Sequence, residues 1–214
     1  MDMINDEESI QEFLEEKPDD KATRVTNEEK LLELFKDNPE AMSAYRILKH
    51  TDTPVFLTGK AGTGKSTFIK LAATIFQNTS VIAPTGISAA NIDGCTIHWA
   101  YNLPIEFMLP SNPKIHSEYF SRGEILWISL GVELVIIDEI SMVNCAMLDC
   151  LDNILQKICL NNKPFGGKKM LFVGDPFQLP PILKKEDRNL LASCYNNEYF
   201  FESEAFQSIN PIKI

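Results

Sequence analysis

The sequence predicts an α/β fold, a parallel sheet with helices on both faces. Three observations predict it. Short apolar runs of strand character alternate with helical patterns along most of the chain. The run Leu134-Val135-Ile136-Ile137 is continuous and β-branched, as a strand buried on both faces requires. Each run also ends in a glycine-rich or polar turn, which gathers the chemistry-bearing residues at the carboxyl ends of the strands. In open α/β sheets that is the edge where ligands bind.

Composition sets the bounds. The 214 residues are 44% hydrophobic, enough for one sizeable domain with an extension. The net charge of −10 is concentrated at the start: residues 1–40 carry a net −9, leaving −1 for the rest. The acidity therefore belongs to a tail, and a basic groove elsewhere is neither shown nor excluded. Residues 1–22 read as an acidic, disordered tail with a short helix near residues 10–14, and residues 23–214 as the domain. The tail serves solubility, or else mimics nucleic acid or docks a partner. No run of 18 apolar residues occurs, and the N-terminus lacks the basic-then-apolar pattern of a signal peptide. Residence in the cytosol, or in the nucleus of a eukaryote, is the expectation. The five cysteines form no C-x-x-C pair and read as free thiols, and the three histidines are scattered, which argues against zinc.

In chain order, Thr26-Asn27-Glu28-Glu29 has the form of a capping box opening a helix to about Lys36. Asn38-Pro39 interrupts it. A second helix runs from Pro39 to about Lys49, with Ala41, Ala44, Tyr45 and Leu48 on one face. Residues 54–58 form the first strand, and the helix after it spans about residues 66–76. Residues 80–83 form the second strand, and Pro84-Thr85-Gly86 launches a helix to about Asn91. The stretch from Gly94 to Trp99 begins another short helix. Residues 101–126, with Pro104, Pro110 and Pro113, read as an irregular insertion that includes a small hairpin. The third strand is residues 134–137. A helix over residues 147–158 places Leu148, Leu151, Ile154, Leu155 and Ile158 at core spacing. Pro164-Phe165-Gly166-Gly167 is a turn, residues 170–173 are the fourth strand, and residues 209–214 begin a fifth.

The chemistry starts at Gly59-Lys60-Ala61-Gly62-Thr63-Gly64-Lys65-Ser66-Thr67, which fits G-x-x-x-x-G-K-[ST] between a strand and a helix. A glycine-rich turn lets successive backbone N–H groups converge on phosphate oxygens, and the next helix directs its positive end there. Gly62, Thr63, Gly64, Lys65, Ser66 and Thr67 are thus the expected triphosphate cradle, with Lys65 at the β- and γ-phosphates and the Ser66 hydroxyl on Mg²⁺. Asp138 ends an apolar strand and is expected to hold Mg²⁺, through water or together with Ser66. Glu139 is placed to orient or deprotonate an attacking water. Gln178 follows the fourth strand in Gly174-Asp175-Pro176-Phe177-Gln178, where a neutral amide can bond both a γ-phosphate oxygen and a water. Thr85 opens a helix, and His98 lies near Trp99 and Tyr101. From chemistry alone these two are weaker candidates for phosphate or base contacts.

Together these residues resemble the PIF family of DNA helicases, in the branch of superfamily one that also holds the RecD-like enzymes. The resemblance rests on Phe56 through Thr67, Ala83-Pro84-Thr85-Gly86 through Ala89-Ala90-Asn91, and Gly94 with Thr96-Ile97-His98. It rests further on Ile137-Asp138-Glu139-Ile140-Ser141-Met142 and on Pro164-Phe165-Gly166-Gly167 leading to Gly174 through Pro181. It implies a RecA-like P-loop motor domain that hydrolyses ATP with Mg²⁺ and moves 5′ to 3′ on single-stranded DNA, with forked duplex as substrate. Lys65, Glu139 and Gln178 would be catalytic, and Pro84, Thr85, Gly86, Thr96 and His98 would contact the strand. Residues 101–126 would be the small wedge that splits the duplex. The family reads adenine through a Gln upstream of the P-loop, and no Gln lies between residues 12 and 76 here. It also uses a second RecA-like domain, and the expectation is that this chain stops as it leaves its first. The alternative is a module whose DNA or partner affinity is gated by nucleotide without motor activity. A small-molecule kinase would explain the P-loop but neither Thr96-Ile97-His98 nor the Gln178 loop.

Overall fold

The computed structural model describes residues 21–113 and 131–214. The expected helix near residues 10–14 and the 114–126 part of the insertion lie outside the described residues.

Helix α1 spans Lys21–Glu33 and is already running at Thr26, so the expected capping box does not form. Glu28 accepts from Lys49 Nζ at 2.5 Å and from the Tyr45 hydroxyl, tying α1 to α2. Helix α2, Pro39–His50, is capped by Asn38, whose side chain accepts from Ala41 N, and it buries Ala41, Ala44, Tyr45 and Leu48 as its pattern predicts.

Strand β1 (Val55–Thr58), α3 (Lys65–Ile75), β2 (Thr79–Ala83) and α4 (Gly86–Asn91) follow in the expected order. The next segment differs from expectation. Cys95–Thr96 is a strand, β3, and the helix α5 begins only at Ile97 and ends at Ala100. Pairing with β2 decides this, with Ile82 beside Cys95 and Ala83 beside Thr96. Gly94 makes the approach possible, since a Cβ there would sit 2.5 Å from the Val81 carbonyl oxygen. Next come β4 (Leu134–Ile137), a 3₁₀ turn at Ile140–Met142, α6 (Cys145–Ile158), a 3₁₀ turn at Pro164–Gly167 and β5 (Lys169–Gly174). Two helices absent from the sequence reading follow: α7 (Lys185–Leu191) and α8 (Glu204–Ile209), the latter after a 3₁₀ turn at Phe200–Glu202. The last strand, β6, is Ile212–Lys213. It is shorter than expected because Ile209 belongs to α8 and Asn210 turns the chain at φ 42°.

The sheet thus has six strands where five were expected, all parallel, in the order β3-β2-β4-β5-β1-β6. Alternate residues of the strands enter two cores. Phe56, Val135, Ile137, Met170 and Phe172 face α6, where Phe172, Phe200 and Phe206 meet edge to face. Val55, Leu57, Ile136, Leu171 and Val173 face α2 and α3. Both faces are covered, as continuous apolar strands require. All the turns that carry candidate residues emerge at one edge.

Candidate nucleotide and strand site

The P-loop joins β1 to α3. Gly62 and Gly64 adopt φ 79° and 89°, a region favoured by glycine, and Gly64 is the N-cap of α3. Gly59 is constrained by space, because a Cβ there would lie 2.6 Å from Thr63 Oγ1. The Lys65 ammonium curls back to donate to the carbonyl oxygens of Gly59 at 2.6 Å and Lys60 at 3.0 Å. Ser66 is exposed in the first turn of α3, with its hydroxyl available at the loop, and Thr67 is half-buried beside it.

Strand β5 separates β1 from β4, so Asp138 and Lys65 approach from strands one apart. The turn after β4 presses on the end of β5: a Cβ on Gly174 would lie 3.0 Å from Ile140 N. Asp138 is 7% exposed. Burial raises its carboxyl above the ordinary carboxylate range, opposed by a hydrogen bond from the Glu139 backbone and by the Lys65 charge. Glu139 holds φ 49°, an uncommon conformation for a residue with a side chain, and opens the 3₁₀ turn. Gln178 is exposed; its amide donates to Asp175 Oδ2 at 3.4 Å, not to Asp138 or Glu139. Asp175 shapes that loop by also accepting from Phe177 N at 3.0 Å.

Beside the P-loop lies a cavity of about 360 Å³ that the sequence did not reveal, lined by Phe35, Asn38, Glu40, Ala41 and Ile214 together with the loop. Phe35 packs edge-on to Phe68 and faces Gly64, where a Cβ would be 3.5 Å from its ring. No local pattern marks these residues, because they reach the loop only once α1 and α2 fold against α3 and β6 pairs with β1.

The expected strand contacts divide. Pro84, Thr85 and His98 line one groove of about 620 Å³, facing Leu183, Lys184 and Asp187. Thr85 and Thr96 are helix caps: Thr85 accepts from Ser88 N at 3.2 Å and Thr96 from Trp99 N at 3.2 Å. Thr96 and the exposed Gly86 stand outside the groove lining. Burial lowers the His98 imidazole below its ordinary 6.5. Tyr101, the aromatic residue near His98 in the sequence, is buried and donates to Ser80 Oγ, so it is not available to a base.

Among the described residues, no cluster of three His, Cys, Asp or Glu side chains could hold a metal. The expected donors are instead one buried carboxylate, Asp138, and one exposed hydroxyl, Ser66. Two hard oxygens suit Mg²⁺ that takes its other ligands from phosphates and water. No helix among the described residues is long and apolar enough to cross a membrane.

The PIF1-like helicase family model matches residues 36–210. The ATP-dependent DNA helicase RRM3 of Saccharomyces cerevisiae is 36% identical over 153 residues, covering 68% of this chain and 21% of that protein. The ATP-dependent DNA helicase PIF1 of the same species is 37% identical over 161 residues, covering 72% and 18%. The chain therefore spans about a fifth of the length of these relatives. Unliganded Pif1 from Bacteroides superposes with a TM-score of 0.71 at 37% identity, covering 79% of this chain and 38% of that one. The Bacteroides Pif1 complex with ADP-AlF3 and single-stranded DNA gives 0.67 at 37% identity, covering 78% and 38%.

Proposed function

The chain belongs to the PIF1-like helicases and has their RecA-like P-loop fold; on that premise we propose that it binds ATP with Mg²⁺ and couples hydrolysis to 5′ to 3′ movement on single-stranded DNA. One observation carries the reading: a buried carboxylate, Asp138, stands within electrostatic reach of the P-loop lysine at the same sheet edge. The ADP-AlF3 and DNA complex of the Bacteroides relative supports it.

In this mechanism Lys65 exchanges the carbonyls of Gly59 and Lys60 for the β- and γ-phosphates. The loop amides from Gly62 to Thr67 hold the phosphate chain. Ser66 and Asp138 would hold Mg²⁺, which would supply positive charge to offset that on the transferring phosphoryl group. Glu139 orients the attacking water and takes its proton. Gln178 leaves Asp175 to bridge water and γ-phosphate. The 360 Å³ cavity takes the nucleoside. Thr85 and His98, with Pro84, Gly86 and Thr96 behind them, meet the DNA backbone, and residues 101–126 act as the wedge. Unwinding of forked DNA is proposed for the full gene product, since the relatives are several times longer.

The test is the steady-state ATPase of the full gene product with and without single-stranded DNA, together with strand separation of a 5′-tailed duplex. Stimulation by DNA with 5′-tail dependence is expected. ATP turnover that single strands leave unchanged would favour the nucleotide-gated module instead.

A further inference from the structure

Helix α5 is held rigidly. Ile97 and Ala100 turn inward at 0% and 1% exposure, Thr96 caps the helix on Trp99 N, and Tyr101 anchors its end on β2 through Ser80. Yet Trp99, the largest side chain on the helix, is 68% exposed. Among the described residues, no ring stacks on it and no cation lies over it. An indole so placed forgoes several kcal/mol of possible burial. Its chain neighbour His98 lines the groove, and Trp99 stands next to it on the same four-residue helix, outside the lining itself. The register of β2 and β3 adds a second apolar residue on the same edge. Ala83 pairs with Thr96, four residues before Ile87 and three before Trp99 respectively, and Ile87 is 81% exposed.

We infer that Trp99 is a stacking platform for a nucleobase of single-stranded nucleic acid lying in the Thr85–His98 groove, with Ile87 flanking it. The inference rests on the strand-binding reading above and adds a contact of a different kind. Thr85 and His98 offer polar groups to a backbone, whereas Trp99 offers a flat apolar face. Every base has such a face, so the contact holds any sequence, and a fixed four-residue helix presents the ring with little ordering cost. The place of Trp99 next to His98, which lines the groove, favours a base over a protein partner at this surface.

The test is oligothymidylate binding by fluorescence anisotropy across a salt series, with the parent protein, Trp99→Ala and Trp99→Phe. Trp99→Ala should weaken binding about 10- to 100-fold with the slope against salt unchanged, because stacking is lost and no charge is. Trp99→Phe should recover most of the affinity. Binding should quench tryptophan emission in the parent by an amount that Trp99→Phe removes. Trp99→Ala binding as tightly as the parent overturns the inference, as does a loss that comes with a flatter salt slope. Failure of the parent itself to bind would withdraw the strand reading and this platform together, and is recognised because parent and variants then behave alike.

Discussion

Lys65 Nζ donates to the carbonyl oxygen of Gly59 over 2.6 Å, so the P-loop cation is paired with the residue that opens its own loop. A triphosphate must compete with that carbonyl and offers far more negative charge. Lys65→Ala should therefore lower ATP turnover at least about 100-fold, while the thermal midpoint moves little because the side chain is half-exposed. Glu139→Gln keeps the shape of the turn and removes the base. It should bind nucleotide as the parent does and lose turnover by about 100-fold or more. A coupled ATPase assay beside nucleotide titration separates the two.

Asp149 on α6 locks the C-terminal segment in place. Its buried carboxylate accepts from Ser203 Oγ at 2.5 Å, Ala205 N at 3.0 Å, Glu204 N at 3.2 Å and the Tyr195 hydroxyl at 2.8 Å. Asp149→Ala leaves buried donors without an acceptor, which costs about 2–4 kcal/mol. Urea unfolding should show the loss as a lower midpoint with an unchanged slope.

Glu28 makes the α1–α2 contact pH-sensitive. Burial alone would raise its carboxyl, but hydrogen bonds from Lys49 and Tyr45 and the Lys49 charge outweigh burial and hold it below the ordinary 4.5. Because the folded value is depressed, the stabilisation is fully present above pH 4.5 and is lost as pH falls through the folded value. Glu28→Gln should lower the thermal midpoint by about 2 °C at pH 7 and converge with the parent in acid. Thermal melts of both proteins across pH 3–7 check the sign.

Gly94 seats β3 against β2. In Gly94→Ala the new methyl would meet the Val81 carbonyl oxygen at 2.5 Å, and backbone cannot yield as a side-chain tip can. The edge strand must shift, at about 1–3 kcal/mol, carrying Thr96, His98 and Trp99 with it. Oligonucleotide affinity should fall even though no contacting group is removed, and ATP binding at the end of β1, which β2, β4 and β5 separate from β3, should persist. Anisotropy with DNA and titration with nucleotide measure the two separately.

Features written into local backbone chemistry were legible. Asn38-Pro39 opens α2 because the amide caps Ala41 N and proline suits the first turn. The spacing of Leu148, Leu151, Ile154 and Leu155 fixes the buried face of α6. Thr26 misled because a capping box is only a local option, and the helix begins at Lys21, so Thr26 and Glu29 both lie inside it. Cys95–Thr96 was missed because a two-residue strand has no period to detect, and α7 and α8 because seven- and six-residue helices are too short to show a periodic apolar face.

The sequence by itself determined the P-loop, its glycines and lysine, the carboxylate pair at the end of an apolar run, and the alternation that makes the sheet parallel. Each of these is a matter of neighbours along the chain. Only the tertiary structure decided the rest. It inserted β5 between β1 and β4, brought Phe35, Asn38 and Ile214 to the P-loop, spent the Thr85 and Thr96 hydroxyls on helix caps, and turned Tyr101 into the core while leaving Trp99 in solvent. The physical reason is the same in each case: burial and strand pairing are settled between residues far apart in the chain, where no local pattern can register the outcome.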